Sequence, residues 1–260
     1  MEALHVRLLG GFELRRATGE ALVLRSRKAA ALIAYLALQP EREQSREKLA
    51  SLLWEDRPEA FARASLRQTL FTIRQLVADR PIITEPRLDW LALDHADIVI
   101  DAEAFENAVA GGGSDDLTEA VHLFRGDLLE GIRIRSESFE SWLMSERQHF
   151  RSAVLNAMHS LLEGRQLAPA DDQIQIALKA LRLDPTEESA HRALMRLYAA
   201  SGRRTEALRQ YFRCRETLWR ELFVRPEAAT DMLYNAVLAK ADQRDVSIHS
   251  GRKAADQRRH

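Results

Sequence analysis

Three arginines and two glutamines lie within residues 61–77, a stretch that contains no acidic side chain. Arginine presents a planar fork of donors that matches phosphate oxygens and guanine edges, and glutamine matches an adenine edge. The chemistry that these residue types support is hydrogen bonding to nucleic acid. The candidate groups in this stretch are Arg63, Arg67, Gln68, Thr72, Arg74 and Gln75.

The same stretch has the period of an amphipathic helix that runs from about Glu59 to about Val77. At about 100° per residue, an apolar stripe falls within an arc of about 60° and should face a core. The stripe consists of Leu66, Leu70, Ile73 and Val77. The three arginines line one flank, and the face opposite the stripe holds Ala64, Gln68, Thr72 and Gln75. We assign Gln68, Thr72 and Gln75 to base edges and leave the arginines open between bases and phosphates. The alternative is an ordinary solvated basic face.

The elements around this helix predict a winged helix. Apolar residues alternate with polar ones over residues 4–8 and 12–14, and a short strand follows at 21–24, which together predict a small antiparallel sheet. Two further helices precede the one at 59–77: one capped by Ser26 and one capped by Ser45. A hairpin of residues 82–84 and 88–93 then forms the wing. Sheet, three helices and hairpin is the order typical of a winged helix.

Four residues outside the third helix are weaker candidates for phosphate binding. Ser45 opens the second helix, whose amide groups could face a phosphate, and Arg46 and Lys48 lie beside it. Arg87 lies at the predicted tip of the wing. Each of these residues is also typical of an ordinary protein surface.

The chain beyond residue 100 is predicted to be helical throughout. Antiparallel helix pairs of this length resemble tetratricopeptide-type repeats, although the period is imperfect. We therefore predict a mainly α fold: a winged-helix domain (1–98), an all-α helical-repeat domain (99–243) and a disordered tail (244–260). The predicted helices are 101–110, 115–124, 137–162, 171–183, 187–200, 204–222 and 227–240.

Composition argues against several classes of protein. The net charge is −1, and the chain has a single cysteine, Cys214, so an internal disulfide and a cysteine-based zinc cluster are excluded. No apolar run is long enough to cross a membrane and no secretion signal is present, which predicts a cytoplasmic protein. The eight histidines lack metal-ligand spacing, and motifs of catalytic sites are missing. We expect no enzyme activity, cofactor or metal, and we expect Cys214 to be a packing residue.

The order of these motifs resembles the SARP-type regulators, the Streptomyces antibiotic regulatory protein family. In the first domain the matching stretches are 8–14, 27–29 with 32–38, 46–50 with Leu53-Trp54, and 62–70 with Ile73-Arg74. In the second domain they are 125–129, Phe139 with Trp142, Glu146-Arg147, 183–185 with Glu188 and His191, 194–198, Gly202, 207–208 with Tyr211, and Glu221-Leu222 with Pro226. The resemblance covers about residues 4 to 240.

The resemblance implies a transcriptional activator. Such proteins bind direct repeats in double-stranded DNA near promoters, recruit RNA polymerase and often switch on a biosynthetic gene cluster. The helical domain would support activation and partner contacts, with a homodimer at least on DNA. By this resemblance we expect the short form of the family, which lacks the further domains of larger relatives. There are two departures from the family pattern. Phe223 stands where the family has glycine, so the last helix junction is expected to differ. Trp90 lies near the position of the family's Gly-Tyr pair, so the wing tip and any contact by Arg87 are expected to differ.

A helical-repeat scaffold is the alternative function, with a winged helix that contacts proteins rather than DNA. Residues 101–135 carry a net charge of −5, so we expect this stretch to avoid DNA and to suit a basic partner. Salt dependence separates the two functions, because affinity that comes from neutralising phosphates falls steeply with salt.

Overall fold

The structure of the chain is a computed structural model. It describes residues 3–39, 43–77, 81–164 and 169–239. The chain divides into two compact units, the first being Met1–Ala157 and the second beginning at Met158. The predicted domain bounds, 1–98 and 99–243, stay a prediction, and the predicted tail, 244–260, lies outside the described residues.

The first unit begins with a small mixed sheet. Its strands, with those of the wing, are β1 (Leu4–Arg7), β2 (Glu13–Arg16), β3 (Ala21–Leu22), β4 (Glu43–Ser45), β5 (Ile83–Thr84), β6 (Trp90–Leu93) and β7 (Ile98–Ile100). The sheet has the order β3-β2-β1-β7, with β1 antiparallel to β2 and parallel to β7. Leu4 and Val6 are buried while His5 and Arg7 are half-buried, as the alternation predicts. Strand β7 was not predicted.

Helices follow the sheet in the predicted order. They are α1 (Arg27–Leu38), α2 (Arg46–Leu53), α3 (Glu59–Leu76), α4 (Asp101–Gly111), α5 (Ser114–Leu123) and α6 (Glu137–Glu163). The Ser26 hydroxyl caps α1 by accepting from the Ala29 amide over 3.2 Å. Residues 29–37 of α1 are buried, and α2 and α3 both pack against it. Helix α3 ends within one residue of its predicted end.

A second sheet forms the wing. Strands β5 and β6 pair antiparallel, as the predicted hairpin requires. Strand β4 adds to the other edge of β6, with Gln44 opposite Leu91, and was missed because three polar residues gave no apolar alternation. Since β4 leads directly into α2, the wing and the start of α2 are joined by a ladder of backbone hydrogen bonds.

A buried carboxylate joins the winged helix to the helices that follow it. Asp101, at the start of α4, accepts from the Leu8 amide over 2.7 Å and from the Leu9 amide over 3.2 Å. The Arg125 guanidinium donates to the same carboxylate over 2.7 Å. Leu9 also forms a backbone bridge with Leu128. The first unit therefore holds the winged helix, α4, α5 and most of α6 in one contact network.

The second unit is helical. Its helices are α7 (Ala170–Leu183), α8 (Glu188–Ala200), α9 (Arg204–Leu222) and a further helix over residues 228–239. Consecutive helices pack against each other, which is the helical-repeat arrangement that the sequence predicts. The buried His191 ring is hydrogen-bonded on both sides: Nδ1 lies 2.7 Å from Gln210 and Nε2 lies 3.0 Å from the Pro185 carbonyl. The mainly α fold class is confirmed.

The junction after α9 corrects one expectation. We expected this junction to change because Phe223 replaces glycine. Instead, Phe223 adopts the left-handed conformation, with φ of 56° and ψ of 31°, and its amide donates to the Trp219 carbonyl. The chain keeps the turn that favours glycine and places a strained phenylalanine in it.

Candidate nucleic-acid interface

Helix α3 presents the predicted polar face to solvent. The stripe residues Leu66, Leu70, Ile73 and Val77 are each at most 3% exposed, so the predicted phase of the helix is confirmed. Arg63, Ala64, Arg67, Gln68, Thr72, Arg74 and Gln75 are all exposed. The Thr72 hydroxyl donates to the Gln68 carbonyl over 3.0 Å. Since the hydroxyl is engaged within the helix, the methyl group of Thr72 is the part of this side chain that is available to contact a ligand. Gln68 and Gln75 are exposed, and no described residue hydrogen-bonds to either side-chain amide.

Phe71 also lies on this exposed face and was not predicted as a site residue. Its side chain is 56% exposed, and at about 100° per residue it lies between Arg67 and Gln75. An exposed aromatic ring between donors can contact the methyl group of thymine in a major groove. The signal in the sequence was a large apolar residue outside the buried stripe.

A cleft of about 730 Å³ separates α3 from the wing and the start of α2. It brings together several of the predicted residues and part of the buried stripe. Its polar lining includes Ser45, Arg46, Arg63, Arg67 and Arg74. The predicted residues Lys48, Gln68, Thr72, Gln75 and Arg87 do not line it.

Glu85, at the turn of the wing, pairs with two of the predicted arginines. Its carboxylate accepts from Arg74 over 2.9 Å and from Arg46 on the opposite side of the cleft. The hydrogen bond from Arg74 is the main reason that the pKa of Glu85 lies below its ordinary value. The wing is thereby held to α2 and α3 by one charged side chain, which sequence reasoning did not single out.

Arg87 is also engaged within the wing. Its guanidinium lies 3.1 Å from the Glu43 carboxylate and 3.7 Å from the centre of the Trp90 ring. The departure at Trp90 therefore gives the wing an aromatic platform for this arginine. The side chain is still 59% exposed, so one face of the guanidinium is free to meet a phosphate.

The start of α2 offers less to a phosphate than the sequence suggested. The Ser45 hydroxyl accepts from the Lys48 amide over 3.2 Å, and the Asp89 carbonyl accepts from the Arg46 amide over 2.8 Å. Two amides at this end are therefore already satisfied. The Lys48 ammonium lies 5.9 Å from the centre of the Tyr35 ring.

Among the predicted arginines, Arg67 stands apart. Arg63 pairs with Glu59 over 2.6 Å, and Arg46 and Arg74 share Glu85. Across residues 3–39, 43–77, 81–164 and 169–239, Arg67 has no acidic partner. It lies beside Gln68 on the exposed face of α3 and keeps its whole donor fork for a ligand.

The second unit carries exposed aromatic side chains at the end of α9. Phe212, Trp219 and Phe223 are 43%, 59% and 74% exposed, and Arg215 lies over the Phe212 ring. Aromatic side chains flanked by arginine are typical of protein interfaces. Cys214, on the buried side of the same helix, packs in the interior, where burial raises its pKa to about 12. It is a packing residue and not a reactive thiolate.

The described part of the chain lacks two other kinds of site. No group of three or more histidine, cysteine, aspartate or glutamate side chains there is arranged to hold a metal ion. No described helix has the length and apolar character that a membrane span requires. Trp142 and Phe139, on α6, contact each other's rings, and Trp142 also contacts Tyr35 in α1, so these aromatic side chains serve packing.

Known proteins match most of this chain. The profile of the bacterial transcriptional activator domain matches residues 100–238. The transcriptional regulatory protein MoaR1 of Mycobacterium tuberculosis is 26% identical over 94% of this chain and 82% of its own length, and MoaR1 of Mycobacterium bovis matches with the same identity and coverage. The solved structure of Mycobacterium tuberculosis EmbR with a low-affinity phosphopeptide superposes with a TM-score of 0.64 and 22% identity. That match covers 92% of this chain and 66% of the EmbR chain.

Proposed function

Because the chain belongs to the bacterial transcriptional activator domain family of regulators, we propose that it is a sequence-specific DNA-binding activator of transcription. The winged helix would bind direct repeats near promoters, and the helical domain would recruit RNA polymerase. The likeness to SARP-type regulators is confirmed by the family and relative matches. The matched relatives are transcriptional regulators, so the proposal assigns a binding function and no catalytic one. It places the protein in the cytoplasm, where bacterial DNA lies.

The exposed face of α3 is the single observation that carries the proposal. Arg67, Gln68 and Gln75 are all exposed on this face, and none of the three side chains has a hydrogen-bond partner among the described residues. A major groove about 12 Å wide admits one helix, and these side chains match guanine and adenine edges. A face of this composition supports reading of base sequence and not only attraction to phosphates.

The flanks of α3 support binding to the DNA backbone. Arg63 and Arg74 lie on the side toward the wing, where Arg46 and Arg87 add two further cations. Each of these four arginines is exposed or partly exposed, and each pairs with an acidic side chain that a DNA phosphate can replace. Phosphate contacts would fix the register of the recognition helix on the duplex.

The exposed aromatic side chains of α9 support a partner contact for the helical domain. RNA polymerase is the partner we propose, and a homodimer on DNA follows from the proposed binding to direct repeats, since two copies would occupy adjacent sites. The biosynthetic gene cluster as target is likewise part of the proposal.

One experiment tests the proposed function directly. The purified chain is incubated with random-sequence duplexes, the bound fraction is sequenced after several rounds, and the affinity for the selected duplex is measured over a series of salt concentrations from low to above physiological. We expect a repeated motif and a logarithmic salt slope of about −0.9 for each phosphate contacted. A scaffold protein would retain no duplex at low salt, and that result would refute the proposal.

The genomic targets need a separate measurement. Genomic fragments captured by the purified protein would be sequenced and compared with the selected motif. Fragments that cluster upstream of the genes of one biosynthetic pathway would support the proposed target, while fragments scattered without a shared motif would contradict it.

A further inference from the structure

A basic cleft borders α3 on the flank opposite the wing. The cleft has a volume of about 540 Å³ and is lined on the α3 side by Ser65, Gln68 and Thr69. At about 100° per residue, Ser65 lies on the side of α3 opposite the wing-facing Arg74, and Gln68 lies on the exposed face between them. The two clefts therefore bracket the surface that we assign to DNA.

The charges in this cleft come from three separate segments of the first unit. Five cationic side chains line it against a single acid, Asp56. The cations are Arg27 and Lys28 of α1, Arg57 of the loop between α2 and α3, and Arg133 and Arg135 of the segment before α6. Burial and, less strongly, the charge of Arg57 lower the pKa of Lys28 despite the opposing effect of Asp56.

Arg133 and Arg135 are available cations, as is Arg27, which is also exposed and has no acidic partner among the described residues. Neither Arg133 nor Arg135 is buried, and within the described ranges no acid pairs with either guanidinium. Arg57 donates to the Ser65 hydroxyl over 3.1 Å and keeps the rest of its fork. The Lys28 ammonium lies 4.9 Å from the centre of the Trp54 ring. Lys28 is half-buried, whereas the four arginines of the cleft are exposed.

The segment that carries the two arginines is fixed against the winged helix. The Ser136 hydroxyl donates to the Leu52 carbonyl and lies 3.0 Å from the Glu55 carboxylate. Ser138 donates to Glu55 from its amide and its hydroxyl, over 3.2 and 3.1 Å. Upstream, the Ile134 amide donates to Glu140 over 2.9 Å. The backbone that carries the arginines is thus held in place before any ligand arrives, which lowers the entropy cost of binding.

We propose that Arg57, Arg133 and Arg135 bind backbone phosphates of the DNA strand on the flank of α3 opposite the wing. The proposal rests on the proposed function and extends it, because it makes the segment before α6 part of the DNA-binding surface. A helix in a major groove has a phosphate strand on each side. The wing and α2 supply cations for one strand, and this cleft supplies them for the other.

The proposal departs from the expectation drawn from the charge of residues 101–135. The net charge of −5 predicted that this stretch avoids DNA. Two of its three cations, Arg133 and Arg135, lie at its end and line the cleft beside α3, while none of its acids does. An average over the stretch conceals this separation of charge.

The test uses the full chain with Arg133→Gln and Arg135→Gln combined. Binding is measured over a salt series against a duplex selected by the parent protein from a random library and against an unrelated duplex of equal length. We expect the slope of log affinity against log salt to become shallower by about 1.8, which is about 0.9 for each of the two phosphates that would no longer be neutralised. Affinity should fall by a similar factor for both duplexes, since phosphates carry no sequence.

A matched control removes the same two charges from the N-terminal sheet. Arg7→Gln with Arg15→Gln should leave the slope at the parent value, because both arginines pair with Glu13 outside the cleft. Asp56→Asn gives an opposite readout, since removal of the one acid should strengthen binding and steepen the slope.

The outcomes separate the two proposals. If the parent protein binds the duplex, and the double variant and Asp56→Asn both show the parent's salt slope, this inference is overturned and the proposed function stands. A parent that binds no duplex at any salt concentration would overturn both. Should the double variant fail to fold, an unchanged slope for Asp56→Asn would still decide against the inference.

Discussion

The guanidinium of Arg74 in α3 lies 2.9 Å from the carboxylate of Glu85 in the wing. Arg46, at the start of α2, contacts the same carboxylate. One acid therefore holds together the three elements that surround the cleft and also partly neutralises two cations that we assign to phosphates. DNA phosphates would have to compete with Glu85 for these cations, which makes the acid a determinant of affinity.

Replacing Glu85 with glutamine should strengthen DNA binding. The variant removes one negative charge from the proposed surface and frees two guanidiniums, so affinity for selected and unrelated duplexes should rise and the logarithmic salt slope should steepen by about 0.9 for each further phosphate that is neutralised. Fluorescence anisotropy over a salt series measures both quantities.

Glu13→Gln is the matched control for this variant. Glu13 also lies between two arginines, Arg7 and Arg15, but in the N-terminal sheet. Its replacement should leave DNA binding unchanged. If Glu85→Gln weakened binding instead, the carboxylate would be positioning the arginines rather than competing for them.

The contribution of Glu85 to stability should disappear in acid. Hydrogen bonding from Arg74 holds the pKa of Glu85 below its ordinary value of 4.5. A lowered pKa in the folded state means that the contribution is present above pH 4.5 and is lost as pH falls through the folded value. Urea unfolding should therefore show Glu85→Gln less stable than the parent near neutral pH, with the gap closing as the pH falls below 4.5. An equal difference in unfolding free energy between the two proteins near neutral pH and below pH 4.5 would contradict this prediction.

Loss of the Arg67 side chain should weaken binding without unfolding the protein. Arg67→Ala removes an exposed fork that has no acidic partner in the described residues, and one bidentate base contact is worth about 1–3 kcal/mol. We expect affinity for the selected duplex to fall by about five- to a hundredfold, with a thermal midpoint close to that of the parent. The affinity of Arg67→Lys, which keeps the charge and loses the fork, should lie between the affinities of the parent and of Arg67→Ala. Equal affinity for all three proteins would exclude Arg67 from the interface.

Asp101 should be needed for stability rather than for binding. Asparagine at this position would offer one acceptor oxygen in place of two, so either the Leu8 amide, or the Leu9 amide together with the Arg125 guanidinium, would lose its acceptor. We expect Asp101→Asn to lower the free energy of unfolding by about 1–3 kcal/mol in urea titration. Glu119→Gln, an exposed substitution on α5, should change it by less than about 0.5 kcal/mol.

Relieving the strained turn after α9 should stabilise the second unit. A left-handed conformation costs a non-glycine residue about 1–2 kcal/mol. The ring contact of Phe223 with Trp219 offsets part of this cost, so Phe223→Gly should raise the free energy of unfolding in urea by about 0.5–1 kcal/mol. Phe223→Ala retains the strain and loses the ring, and should not be stabilised. An increase of equal size in both variants would point to the exposed ring instead of the backbone.

Helix α3 could be predicted because its phase depends on local residues alone. Leu66, Leu70 and Ile73 set the buried side, and the exposure of Arg67 and Gln68 follows from it. The helices of the second unit were predicted for the same reason, since their apolar faces and their terminating residues are close in sequence.

Features that depend on distant pairing were not accessible to the same reasoning. Strand β4 forms only because β6, far along the chain, offers a free edge, and its polar residues give no alternation. Glu85 meets Arg46 and Arg74 only through the folding of the wing. Arg133 and Arg135 line a cleft with α1 and α3 through the anchorage of Ser136 on Leu52 and Glu55.

The carboxylate that bonds the Leu8 and Leu9 amides has a consequence for chimeric regulators. A protein engineer who grafts this winged helix onto another helical domain at residue 98 would leave both amides without their acceptor. The exchangeable piece is longer than the winged helix itself, because it has to include Asp101 and Arg125. Hybrids joined downstream of α6 would keep the whole of that hydrogen-bonded network, and with it the arginines beside α3.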